Sequence, residues 1–186
     1  ADAGGGRGDG RAHVAFVGHG AERTGPPIML GHLLQGLAAE DRWDRSVLVA
    51  RSGPLLDEYR RTGASAAAVT TAREPFEPLA AALRRVGQEP AALRLQDSRR
   101  RRSAAALQGA DLVYVNAATP PTAALLRALD PPARTPVLLH VHEMDVGLRD
   151  TLAERDRTFL FERASHVVAA SGAVADVLVA GHGMDP

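Results

Sequence analysis

The sequence predicts an α/β fold built on a doubly wound, mostly parallel sheet. Three observations carry that expectation. Short apolar runs alternate with longer stretches whose apolar residues recur at helical spacing, the rhythm of β–α–β units. The short runs are almost continuously apolar, as strands covered on both faces are. Gly and Pro stand at the boundaries between the two kinds of segment, where they stop helices and open turns.

Taken in order, residues 1–11 are Gly-rich and polar, with nothing to bury, and read as a disordered tail. One domain is expected over 12–186. Residues 13–17 (HVAFV) read as the first strand. Residues 26–40 read as a helix with Ile28, Leu30, Leu33, Leu34 and Leu37 at helical spacing, capped by Thr24 or Gly25, with Pro tolerated in its first turn. Strands follow at 46–50 (SVLVA) and, with weaker propensity, at 66–70, separated by a helix at 54–62 that Gly63 stops. Helices are expected at 77–86 and 90–108. The fourth strand is 111–115 (DLVYV), the fifth 136–141 (PVLLHV) and the sixth 166–170 (HVVAA). Helices are expected between and after them at 120–129, 146–163 and 172–180, the last stopped by Gly181.

Composition narrows the function. Zero Cys removes a disulfide framework, a Cys-ligated zinc site and a Cys nucleophile. Every basic residue is Arg, so no Lys is present for a Schiff base or a P-loop. The formal net charge is zero and only 4% of residues are aromatic, which argues against nucleic acid as a partner. No apolar run spans a bilayer and the N-terminus has no apolar core for a secretory signal, so a cytoplasmic location is expected. Arg99 to Arg102 form a basic run. It reads as a solvated face or as a peripheral contact with an anionic membrane surface.

In a parallel sheet the working residues lie beyond the C-terminal ends of the strands. The loop after the first strand, GHGAERTGPP, places Gly18, Gly20, Thr24 and Gly25 between a strand and a helix N-terminus. There, free N–H groups attract ligand oxygens, or the glycines serve a turn that needs positive φ. It is neither a dinucleotide fingerprint, since position 23 is Arg, nor a P-loop, since Pro26 and Pro27 stand where Lys and Ser or Thr are required. After the fifth strand comes HVHEMD. Strand alternation puts His140 and His142 on one side. His142, at the strand end, is the candidate acid–base or substrate-contacting residue, with Glu143 beside it, while His140 reads as a core histidine. A metal set of His140, His142 and Asp145 is conceivable, but no metal is expected. Asn116, the single Asn, follows the fourth strand as a ligand contact or an Asx turn or cap. Ser171 follows the sixth, as a helix N-cap or a crevice residue.

The ordered motifs resemble the N-terminal domain of the group 1, family 4 glycosyltransferases. TGPPIMLGHLLQGL resembles their first loop and helix, and SVLVARSGPLLDEYRRTGASAAAV their second strand, Gly-Pro-Leu segment and third strand. DLVYVNAATP and PVLLHVHEMD resemble the strands ending in Asn and in His, and ASHVVAASGAVADVLVAGHGMDP the last strand and helix. The resemblance runs from about residue 13 to the end. It implies a Rossmann-like sheet that is the acceptor-side half of a GT-B fold, with the C-terminal donor domain absent from this chain. It further implies a retaining transferase that takes a nucleotide-sugar donor and an acceptor small molecule, glycan or lipid, without a cofactor. It carries His142 over as the residue reaching the transferred sugar, Gly25 as the loop glycine near the donor phosphate and acceptor, and Asn116 and Glu143 as fainter matches. Pro26 stands where the family commonly has Ala. The chain alone is expected to be inactive. The competing class is a stand-alone Rossmann-like or flavodoxin-like ligand-binding or signalling module, for which the first loop lacks either phosphate fingerprint.

Overall fold

The computed structural model of the chain describes residues 11–40, 42–69 and 107–184. Six strands form one all-parallel sheet. They are β1 (Ala12–Gly18), β2 (Trp43–Val49), β3 (Ser65–Ala68), β4 (Leu112–Asn116), β5 (Val137–Val141) and β6 (His166–Ala169). The spatial order is β3-β2-β1-β4-β5-β6. The chain therefore winds outward from β1 one way and returns to β4 to wind the other way. The crevice between β1 and β4 is the topological switch point, where Rossmann-like sheets bind ligands.

Helices α1 (Gly25–Ala38) and α2 (Leu55–Arg61) follow β1 and β2. Helices α3 (Pro120–Leu129), α4 (Glu154–Arg163) and α5 (Gly172–His182) follow β4, β5 and β6. Side-chain alternation divides the core. On one face Val14, Phe16, Val47 and Val49 pack against Leu30 and Leu34 of α1 and Leu55 and Tyr59 of α2. On the other, Ala15, Val17, Val113, Val115 and Leu139 pack with Leu125, Leu126 and Leu129 of α3 and Leu160 of α4. Each fully buried Leu of this kind contributes about 1.5–3 kcal/mol of apolar burial.

The expected strands are all present, with each end within three residues of its expected place. β2 begins earlier than expected, at Trp43, because the polar stretch Trp43-Asp44-Arg45 pairs with Ala12, His13 and Val14. Two helical expectations need correction. The helix expected over 146–163 is broken. A π-helical turn covers Gly147–Thr151, Leu152 and Ala153 are extended, and α4 starts at Glu154. The Thr151 hydroxyl donates to the Gly147 carbonyl, local competition of the kind that interrupts helices. The break also lets both Leu148 and Leu152 reach the core. The last helix runs past Gly181 and stops at Gly183, whose φ of 64° is left-handed. There Gly183 N–H bonds the Val179 carbonyl and Met184 N–H that of Leu178, the bonds that close a helix end. The expected tail up to residue 10, the helix at 77–86, most of that at 90–108 and the run Arg99 to Arg102 lie outside the described residues. No helix among the described residues is long and apolar enough to cross a membrane.

Candidate functional site

The parallel register sets the site. Gly18 of β1 pairs with Asn116 of β4, and Asn116 with His140 of β5. The loops leaving these three strands consequently start at one level of the sheet, and Asn116, His142 and Glu143 meet there.

Asn116 is the hub, with 1% of its surface exposed. Its Nδ2 donates to the Pro26 carbonyl in the first turn of α1 at 2.9 Å, and its Oδ1 lies 3.2 Å from His142 Nε2. A carbonyl oxygen only accepts, so the amide nitrogen must face Pro26 and Oδ1 must face the imidazole. His142 therefore carries its neutral-state proton on Nε2, and Nδ1 keeps a lone pair. Burial, followed by the nearby His19, holds the His142 pKa below its ordinary 6.5, so the ring is neutral at pH 7. The Asx-turn or cap alternative for Asn116 does not apply. The cap of α3 is Thr119, whose hydroxyl accepts from Thr122 N–H.

Glu143 fastens the loops after β4 and β5 together. One carboxylate oxygen accepts from Ala118 N–H at 2.9 Å and from His142 N–H at 3.1 Å. Between Asn116 and Ala118 stands Ala117, fully buried with φ of 81°. Left-handed backbone at a non-glycine residue costs about 1–2 kcal/mol. Strain of this sort persists where its surroundings impose it, commonly at functional sites. Here the Ala117 N–H bonds the His140 carbonyl and the Ala118 N–H bonds Glu143.

His140 and His142 share a side as alternation requires, with ring centroids 4.1 Å apart. His140 pairs with the Tyr114 hydroxyl, and burial pushes that phenol up to about 12. Burial also lowers the His140 pKa, with His142 the next cause. His140 thus lies against the site histidine and is itself half-buried.

The first loop has a different logic from the one expected of its glycines. Positive φ among described glycines occurs at Gly63 and Gly183 alone, so none of Gly18, Gly20 and Gly25 is there for a left-handed turn. A Cβ on Gly25 would meet nothing within 4 Å, so packing does not demand that glycine. Thr24 is the N-cap of α1, but its side chain makes no capping bond, and both Thr24 and Gly25 are exposed. Ser171 caps α5 by accepting from Val174 N–H at 3.3 Å. It sits after the outermost strand, away from the Asn116 hub.

Sequence reasoning missed three residues of this loop layer: His19, Glu22 and Arg51. Glu22 pairs with Arg51 at 2.8 Å, Ala21 accepts from Leu55 N–H at 3.0 Å, and a Cβ on Gly53 would collide with the Ala21 carbonyl at 2.3 Å. The loop after β1 thus rests directly on the loop after β2. The usable signal was position, since His19 directly follows the last residue of β1. Among the described residues no three His, Cys, Asp or Glu could together hold a metal ion. The family model for Glycosyltransferase Family 4 matches the chain over residues 25–186. The search of curated proteins found no match.

Proposed function

Because this chain belongs to Glycosyltransferase Family 4, we propose that it is the acceptor-side half of a GT-B enzyme that moves a sugar, with retention, from a nucleotide-sugar to an acceptor. The observation that carries the reading is His142, held at the switch point by Asn116 with a free acceptor lone pair. A neutral imidazole fixed in this way can accept a hydrogen bond from a hydroxyl of the sugar in transit. It keeps that hydroxyl in register while charge separates at the anomeric carbon, and it needs no reorganisation during the reaction. Gly18, Gly20, Thr24 and Gly25 form the loop beside it; Gly18 and Gly20 are buried, and the open space at Gly25 leaves room for an oxygen-rich ligand. Ser171 would line the outer end of the same edge.

The diphosphate of the donor would be held mainly by a second domain facing this one. The 186-residue chain by itself should therefore bind acceptor, bind nucleotide-sugar weakly and turn nothing over. A cytoplasmic setting, with Arg99 to Arg102 touching an anionic membrane, completes the proposal. The test is transferase activity in the two-domain enzyme. There His142→Ala should lower turnover by at least ~10²-fold, the scale of a lost acid–base or charge-stabilising group. A rate near that of the unsubstituted enzyme would remove His142 from the site.

A further inference from the structure

Two polar atoms of the first loop are buried without partners: His19 Nδ1 and Glu22 Oε2. They flank Gly20, against which the Glu22 carboxylate is folded so closely that a Cβ there would touch it. Buried polar atoms are normally hydrogen-bonded, and an exception needs a physical cause. Glu22 Oε1 is already taken by Arg51 at 2.8 Å, so the salt bridge fixes the carboxylate and leaves its second oxygen open.

The surroundings define what could satisfy these atoms. Burial is the main influence on His19 and lowers its pKa; Glu22 and Glu143 raise it, and Arg51 lowers it. His19 directly follows Gly18, which pairs with Asn116, the partner of His142, so it leaves the sheet at the level of that hub, and His142 lies within its electrostatic reach. Glu22 Oε2 can only accept, whereas an imidazole nitrogen accepts or donates according to tautomer. A phosphate or carboxylate is acceptor-only. It would leave the Glu22 oxygen unmatched and add negative charge beside Glu22 and Glu143. A hydroxyl both donates and accepts, and it brings no charge.

We infer that His19 and Glu22 form the far side of the His142 site and take an uncharged, hydroxyl-bearing group of the substrate, excluding anionic groups from that end of the crevice. This assignment rests on the crevice being a sugar-handling site, and it adds a specificity element to it. His19 and Glu22 bind and select, while His142 remains the residue at the reacting sugar.

The test uses the 186-residue chain and imidazole ¹⁵N spectra, with His19→Ala and His142→Ala assigning the two resonances. The probes are methyl α-glucopyranoside and glucose 6-phosphate, each titrated to about 50 mM, high enough for millimolar affinities. The neutral glycoside should shift both histidines and bind more tightly than the phosphate. His19→Ala should weaken the glycoside about 3- to 10-fold, the range of one neutral hydrogen bond. Glu22→Gln, which can donate where Glu22 cannot, should narrow the preference for the glycoside over the phosphate. A His142 response with His19 silent overturns the inference and leaves the functional reading standing. Glucose 6-phosphate binding as tightly as the glycoside overturns the exclusion of anions. Silence of both histidines with both probes overturns the inference together with the sugar-handling reading.

Discussion

Replacing Asn116 by Ala should damage fold and site together. The substitution removes the 2.9 Å bond to the Pro26 carbonyl and the 3.2 Å bond to His142 Nε2. Each lost neutral bond is worth about 1 kcal/mol net, and an unsatisfied buried group costs about 1–3 kcal/mol. Pro26 and His142 are both partly exposed, which lets water recover some of the loss and places each at the lower end. The expected destabilisation is about 2–3 kcal/mol, a fall in Tm of about 4–12 °C for a chain of this size. Urea unfolding at about pH 7.5, where neutral histidine predominates, measures it as a lower midpoint at unchanged slope. The same sample carries a second readout. In the unsubstituted chain the imidazole ¹⁵N shifts of His142 should report the Nε2–H tautomer, and in the Ala variant that preference should weaken. Asn116→Asp is the isosteric control. It presents acceptors to both partners, so it repels the Pro26 carbonyl and moves the His142 pKa upward. A midpoint change below about 0.5 kcal/mol, the range of an ordinary surface substitution, with His142 protonated on Nδ1 in the unsubstituted chain, would remove Asn116 from the centre of the site.

Other outcomes follow from the same contacts. Gly53→Ala forces a methyl onto the Ala21 main chain and should cost about 1–3 kcal/mol by denaturant midpoint, whereas Gly25→Ala should leave the midpoint unchanged and weaken acceptor binding by saturation-transfer titration. Stability should fall with acid in a defined window. The pKa values of His19, His140, His142 and His182 are all held below 6.5 in the folded chain, so the unfolded chain binds more protons there. Stability is then complete above about pH 6.5 and declines as the pH drops through the lowered folded values. Urea midpoints at about pH 7.5 and 5.5 should differ in that sense, and equal midpoints would count against neutral buried histidines. Ser171→Ala removes the α5 cap and should cost about 1 kcal/mol, read by thermal melting.

Much of the fold was legible in the sequence, because a continuous apolar run ending in Gly, Asn or His suits a buried parallel strand and little else. The residues at strand ends were legible too, since position after a strand is a one-dimensional fact. Relations between strands were not. Asn116 and His142 are 26 residues apart, and only the β4–β5 register makes them a pair. The role of Glu143 was hidden for the same reason, since its partners are backbone amides on two loops. The position of His19 after β1 was legible, but nothing in Gly-His-Gly shows that its Nδ1 is buried without a partner. The break before α4 was invisible because Leu148 and Leu152 suit one face of a continuous helix equally well. Gly181 was read as the stop of α5, but it is Gly183 that takes the left-handed φ closing the helix, a backbone choice that composition does not reveal.

The strand order also fixes when the crevice can exist. Paired residues of β1 and β2, such as Ala15 and Ser46, are roughly 30 residues apart, so the β1–α1–β2–α2–β3 half is assembled from nearby chain. Joining β4 to β1 brings together Val14 and Leu112, 98 residues apart, at a loop-closure cost about 1 kcal/mol higher. The Asn116–Pro26 bond, spanning 90 residues, belongs to that later step. The crevice thus depends on the longest-range pairing of the sheet, and an opening that parts β4 from β1 erases it while β1, β2 and β3 stay joined. Amides beside Asn116 should exchange with solvent through that partial opening, sooner than those of β1 and β2 do through global unfolding.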